Sequence, residues 1–351
     1  MSAQTQMLAE CPAPSRAAEP RPALSRRDFQ TAQEVRWCPG CGDYSILAQV
    51  QKVLASLGVP RHKNVFVSGI GCSSRFPYYV NTYGFHTIHG RAPAVATGVK
   101  CANPDLSVWV VTGDGDGLSI GTNHLIHCLR RNVDVKILLF NNRIYGLTKG
   151  QYSPTSELGK RTKSSPLGTI EQPISPVQTA LAAQASFVAR SLYADPNHLA
   201  GVIEAAARHR GGAFIEILQN CRVFNEDAFE SIAARAQAAE TRLLLQDGKP
   251  IVFGAGGRKG LAVRNMEPVV VDADSDQDIL VHNSKSESSA LAALLAELEP
   301  PRFPTALGIF RNVERPTYDH LLHQQIQQAI SKRGRGDLKS LLNSGTTWEV
   351  D

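Results

Sequence analysis

No stretch of this 351-residue chain approaches the roughly 18 uninterrupted apolar residues that a membrane-spanning helix needs. The first 35 residues, rich in Pro, Ala, Arg and Gln, also lack the apolar core of a secretory signal. They read as a mobile tail, although their Arg-rich, acid-poor character also suits an organelle transit sequence. Part of the net charge of +5 sits in that tail, on Arg16, Arg21, Arg26 and Arg27. Without a concentrated basic stripe or interleaved aromatics, this charge gives no ground for nucleic-acid binding. No internal repeat is evident. What remains is an ordinary soluble composition, long enough for one or two domains around a large core. Seven cysteines without a secretion signal point to a reducing, cytoplasmic setting, where thiols serve metals or catalysis more often than disulfides.

The informative residues follow two apolar runs. After Ser107–Thr112 the chain reads Gly113-Asp114-Gly115-Asp116, and after Val135–Phe140 it reads Asn141-Asn142. Between the runs, Leu118, Thr122, Leu125 and Leu129 recur at helical intervals and Arg130-Arg131-Asn132 closes the segment. Strand, turn, helix, strand is a right-handed βαβ unit, whose ligand crevice lies at the carboxyl ends of its strands. Asp114 offers a carboxylate there and Asn142 a side-chain carbonyl, donors that suit magnesium, with phosphate oxygens and water completing its shell. The glycines let backbone N–H groups approach phosphates closely. Either turn alone is ordinary strand punctuation. Together, one amphipathic helix apart, they favour a diphosphate cofactor, and thiamine diphosphate above others.

The remaining pattern is α/β. It predicts helices over Asp43–Leu57 (Asp43 a candidate cap), Ala92–Cys101, Val177–Ala185 and His198–His209, and strands over Asn64–Ser68, Phe187–Leu192 and Ala213–Leu218. Tyr145–Gln172, polar with several Gly and Pro, reads as a substantial active-site loop. Beyond Cys221 come an amphipathic, alanine-rich segment (Ser231–Leu244) and short strands. The run Gly254–Gly260 superficially resembles a dinucleotide loop, but no crossover helix can fit before the next strand, so it reads as a hairpin. From Arg315 onward the chain is polar and helical in pattern. Tyr78, Tyr79 and Tyr83 read as packing residues.

Among the cysteines, Trp37-Cys38-Pro39-Gly40-Cys41 invites comparison with thioredoxin-like motifs, but no buried strand precedes it. Cys72 ends a strand on the same edge as Asp114 and Asn142, so it can join Cys38 and Cys41 beside the cofactor. Three thiolates imply zinc or an iron–sulfur cluster. Spacing alone does not find the fourth ligand. Cys221 also follows a strand and is preferred over Cys101 and Cys128, which fall in helices, and Cys11 in the tail.

These motifs together resemble the β subunit of a 2-oxoacid:ferredoxin oxidoreductase, most nearly the 2-oxoglutarate enzyme. The resemblance rests on Trp37–Gly42, Gly69–Arg75, His89–Ala92, Gly113–Gly117, Asn141–Gln151, and Cys221 with Phe224-Asn225, and runs from about residue 36 to 312. It implies a thiamine diphosphate-binding fold over 36–218, a mostly parallel sheet flanked by helices, then a small α+β extension over 219–312 and a helical tail over 313–351. It also implies that Asp114, Asn142 and the Ile144 backbone carbonyl hold magnesium, and that Cys38, Cys41, Cys72 and Cys221 ligate one [4Fe–4S] cluster. The cofactor would be lined by Gly71, Ser73, His89, Gly113, Gly115, Asp116, Gly146 and Leu147, with His89 a contact rather than a proton carrier. Arg75 and Lys149 are the candidates for the distal carboxylate of 2-oxoglutarate.

The implied reaction is oxidative decarboxylation of 2-oxoglutarate with coenzyme A to succinyl-coenzyme A and carbon dioxide, electrons leaving to ferredoxin. A carboxylate and clasp for the aminopyrimidine are not evident in this chain. They would come from an α subunit, giving an αβ pair that pairs again. The rivals are a pyruvate or branched-chain enzyme, a non-oxidative thiamine enzyme, and a zinc-stabilised subunit without redox activity.

Overall fold

The computed structural model describes residues 24–348 and Val350; the first 23 residues, with Cys11, Arg16 and Arg21, lie outside the described residues. Eight strands form one sheet in the order β2-β1-β3-β4-β6-β5-β11-β7. They are β1 Asn64–Ser68, β2 Tyr83–His86, β3 Ser107–Gly113, β4 Val135–Asn141, β5 Phe187–Leu192, β6 Ala213–Leu218, β7 Arg242–Leu244 and β11 Thr305–Asn312. β1 to β6 are mutually parallel, and β11 lies antiparallel on the outer edge of β5. β8 Val252–Phe253, β9 Lys259–Arg264 and β10 Glu267–Asp272 make a second, antiparallel sheet.

The central strands are buried along their length and mostly apolar because helices cover both faces. Successive residues point to opposite sides. In β3, Val108 and Val110 enter one core while Trp109 and Val111 enter the other. The first core is roofed by α2 Ala92–Ala102, α4 Thr122–Arg130, α5 Pro176–Ala182 and α7 Ala290–Ala296, and the second by α1 Asp43–Leu57 and α6 Pro196–Arg208. α1 buries Ile46, Val50, Val53 and Leu54, spaced to share one face, and stops where Gly58 turns left-handed at φ 64°. Gly42, not Asp43, occupies its N-cap position; Asp43 is fully buried in the first turn. α3 Asp114–Leu118 is a separate short helix, so the crossover from β3 to β4 bends rather than running as one helix.

Two expectations change. The expected tail over 1–35 does not extend to its last residues: Arg26–Phe29 forms a 3-10 turn, and Phe29 is fully buried with Phe76, Tyr79 and Val80. Gln51 of α1 donates through Nε2 to the Phe29 and Tyr79 carbonyls and fixes that seat. The region 219–312 is not a unit apart, because β7 and β11 complete the main sheet and Leu243, Ala306 and Phe310 join its core. The alanine-rich segment Ser231–Leu244 is broken at the extended Ala234 into a turn at Glu230–Ala233 and a second stretch, Arg235–Gln237 running into Ala238–Thr241, before β7.

Gly254–Gly257 turns between β8 and β9, the hairpin that the sequence favours. The last long helix, α8 Tyr318–Arg333, is docked at its start: Asp319 accepts the Asp134 N–H, and His323 lies 2.9 Å from the Cys101 carbonyl. Among the described residues, no helix is long and apolar enough to cross a membrane.

Candidate active site

Four adjacent strands, β1, β3, β4 and β6, end along one edge of the sheet. Register pairs Ser68 with Val111, Gly113 with Phe140 and Asn141 with Leu218. That edge is where parallel sheets bind ligands. A cleft of about 530 Å³ opens there. Gly71, Ser73, His89, Gly113, Asp114, Gly115, Asp116, Asn142, Ile144, Gly146 and Leu147 all border it, and so does Cys72.

The glycines are used in distinct ways. At Gly71 φ is +107°, and an added Cβ would meet no atom within 4 Å, so bare backbone faces open space. At Gly115 a Cβ would fall 2.2 Å from Cε1 of Tyr145, whose hydroxyl donates to the Gly115 carbonyl at 3.0 Å. Asp114 is buried, and its Oδ2 accepts from Ser153 (2.5 Å) and Thr155 (2.7 Å), both buried, which the long loop after β4 brings back against it. Burial holds its carboxyl above the ordinary range, against the pull of those hydroxyls and of the Asn142 N–H. A bound cation would reverse that balance. The Asn142 side-chain carbonyl accepts the Ile144 N–H at 3.2 Å, fixing the turn beside Asp114. Carboxylate, amide oxygen and open glycine backbone together fit a magnesium-bridged diphosphate.

Asp116 borders the cleft and also braces its wall. Its carboxylate accepts from Thr112 Oγ1 (2.7 Å) and the Gly90 N–H (2.8 Å), and His89 Nδ1 lies 3.2 Å away. It therefore props the wall carrying His89. A Cβ at Gly69 would sit 1.8 Å from Asp116 Oδ2, so only glycine leaves that seat open.

The thiols gather behind the cleft. A Cβ on Gly146 would lie 3.2 Å from Cys221 Sγ and 3.8 Å from Cys72 Sγ, so this glycine makes the room between them. The Trp37 indole donates to the Cys72 carbonyl at 2.7 Å, and the Cys41 N–H closes a turn on the Cys38 carbonyl at 3.1 Å. Burial, then Asp43, Cys221 and Cys38, push the Cys72 thiol up to about 11, while Arg75 pulls the other way. Burial, with Asp43, Cys72 and Cys221, raises Cys41 further. All four thiols thus share one neighbourhood and are free of disulfides. Among the described residues, no three His, Cys, Asp or Glu side chains are gathered closely enough to hold a single metal ion. Four thiols in one neighbourhood are the donor set that a cysteine-ligated cluster takes.

Comparison with known proteins decides the family. Residues 69–217, from the end of β1 into β6, match the family described as thiamine pyrophosphate enzyme, C-terminal TPP binding domain. The chain is 54% identical over 336 residues to 2-oxoglutarate oxidoreductase subunit KorB of Mycobacterium tuberculosis, covering 93% of this chain and 88% of that one. It belongs to the 2-oxoacid:ferredoxin oxidoreductase β subunits. A further relative of this β subunit is the 2-oxoacid:ferredoxin oxidoreductase 1 subunit beta of Aeropyrum pernix, 39% identical over 82% of this chain and 81% of the relative. In structure the β subunit is similar to a 2-oxoglutarate:ferredoxin oxidoreductase from Magnetococcus marinus solved with 2-oxoglutarate, coenzyme A and succinyl-CoA bound. That similarity has a TM-score of 0.73 at 32% identity and covers 92% of this chain and 97% of the other. The matched domain contains the β3 and β4 ends, with Asp114 and Asn142, that border the cleft.

Two candidates of this β subunit stand elsewhere. Arg75 donates to the Arg36 carbonyl at 3.1 Å and does not border the cleft, because the 3-10 turn Ser73–Tyr78 carries it toward the Cys38 side. Lys149 is exposed, left-handed at φ 77°, and also absent from the lining. Tyr79 packs in the core as expected, but Tyr78 and Tyr83 are exposed. Sequence reading missed Ser153, Thr155, Tyr145 and Gln219. The signal for Tyr145, Ser153 and Thr155 is the long loop after β4, legible as a loop but not residue by residue, while Gln219 follows directly on the end of β6.

Proposed function

We propose that this β subunit, joined to an α subunit, catalyses thiamine diphosphate-dependent oxidative decarboxylation of 2-oxoglutarate with coenzyme A to succinyl-coenzyme A and carbon dioxide. Electrons pass through one [4Fe–4S] cluster to ferredoxin, in a cytoplasmic setting. The observation that carries the reading is a shared wall. Cys72 borders the diphosphate cleft, and Gly146, also on that cleft, separates the sulfurs of Cys72 and Cys221. The identity to the M. tuberculosis relative and the ligands of the M. marinus structure support the choice of substrate.

Asp114, Asn142 and the Ile144 carbonyl would hold magnesium; Gly71, Ser73, Gly113, Gly115 and Gly146 would admit the diphosphate; Cys38, Cys41, Cys72 and Cys221 would hold the cluster. When bound, thiamine diphosphate supplies the centre that cleaves the bond beside a keto carbonyl, and a cluster removes electrons one at a time. The chain's own residues orient and enclose. Ser153 and Thr155 fix the Asp114 carboxylate, Asp116 fixes the His89 wall, and the buried Phe140 and Ile144 exclude water from one side.

The test is anaerobic purification of the αβ complex, metal analysis and a substrate panel. Expected are a brown protein with about four iron and four sulfide per β subunit, and turnover with 2-oxoglutarate ahead of pyruvate and branched-chain acids. A colourless zinc protein would overturn the redox reading, and preference for pyruvate would overturn the substrate.

A further inference from the structure

Cys38 and Cys41 lie far in sequence from Cys221, and the structure shows what draws the two arms together. Gly40, between the first two cysteines, is left-handed at φ 78°. A Cβ placed there would lie 3.4 Å from Cδ and 3.5 Å from Nε of Arg222, so the stem of the residue after Cys221 lies flat across that turn. The second arm is itself fixed. The Asn225 N–H donates to the Cys221 carbonyl at 2.9 Å, and its side-chain amide donates to the Asn142 carbonyl at 2.9 Å. The Arg222 guanidinium carries an ion pair to Glu226 and remains half-exposed. Asp43, two residues past Cys41, is fully buried, and Arg75, three past Cys72, donates to the Arg36 carbonyl.

We propose that Arg222 is a positioning and tuning residue for the electron-transfer centre: it clasps the Cys38–Cys41 turn, and its cation favours the reduced, more negative state of a four-thiolate cluster. The inference rests on the iron–sulfur reading above. The step affected is uptake of one electron by the cluster, with no bond made or broken and no proton moved. A fixed cation nearby lowers the free energy of added negative charge, and half-exposure limits the effect through solvent screening. Glu226, by pairing with Arg222, holds that influence down.

The test is a redox titration of the cluster, followed by electron paramagnetic resonance, in the anaerobic αβ enzyme. Arg222→Gln should lower the reduced-to-oxidised ratio at fixed potential about fivefold, which is about 40 mV more negative for one electron at 59 mV per tenfold. Arg222→Lys should restore most of that shift. Glu226→Gln, which keeps the arginine and removes its partner, should move the midpoint in the positive direction, and it remains informative if Arg222→Gln loses its cluster. Unmoved midpoints in the variants, or shifts of the same sign, would overturn the proposal. Absence of iron from the wild-type enzyme would instead overturn the functional reading itself.

Discussion

Gly115→Ala is a small change whose sign the structure fixes. In the first turn of a helix, alanine in place of glycine normally stabilises by about 0.5–1 kcal/mol. Here the new methyl would sit 2.2, 2.7 and 2.8 Å from Cε1, Cδ1 and Cζ of Tyr145. Carbon atoms want about 3.5–4 Å, so the ring must withdraw by more than an ångström. Overpacking of that kind costs about 1–3 kcal/mol, and losing the Tyr145 hydroxyl bond to the Gly115 carbonyl adds about 1 kcal/mol. The net expectation is a destabilisation of about 2 kcal/mol.

In a Tyr145→Ala background the obstacle is gone, and the same substitution should be neutral or stabilising. Thermal unfolding of the wild type, both single variants and the double variant, each in complex with the α subunit, measures the coupling. Equal effects of Gly115→Ala in both backgrounds would refute the reasoning. So would an intact, unmoved cleft in the single variant.

Other consequences can be measured as directly. Asp114→Ala removes the carboxylate on which Ser153 and Thr155 converge, and calorimetry should show magnesium-dependent thiamine diphosphate binding abolished; full occupancy would refute the assignment. Glu216→Ala strands the buried Arg190 guanidinium, now 2.6 Å from its partner, and should cost about 3–5 kcal/mol in a denaturant titration. A loss below about 1 kcal/mol would show that the pair is not buried as described. His209, buried among Ser186, Asn312 and the Lys136 charge, is lowered from 6.5 to about 4, chiefly by burial. The unfolded chain therefore binds the extra proton in that window, so stability is full above 6.5 and falls as pH drops toward 4. His209→Gln should flatten that slope in melts taken across the window.

Much of the site was legible because its chemistry sits at strand ends. Gly113-Asp114 and Asn141-Asn142 follow unmistakable apolar runs, and two parallel strands one crossover apart must place their ends together. Spacing alone does not join Cys221 to Cys38; its place after a strand singled it out, and the family resemblance completed the set. Arg75 lies off the cleft lining, because nearness in sequence to Cys72 does not say which way a 3-10 turn aims a side chain. β2 was missed because Tyr83–His86 is exposed along its length and shows no alternation. Phe29 was read as tail because a single aromatic in a polar stretch gives no periodicity. The partnership of β11 with β5 depends on pairing across a long sequence separation, which local pattern does not encode.

That last pairing also bears on how the subunit is made. β5 leaves the ribosome long before Thr305–Asn312, yet β11 is the strand that covers its outer edge. During that interval the nascent chain displays an open row of main-chain donors and acceptors, the kind of margin on which strangers polymerise. Translation stopped short of residue 305 should therefore yield aggregates rather than a smaller working unit.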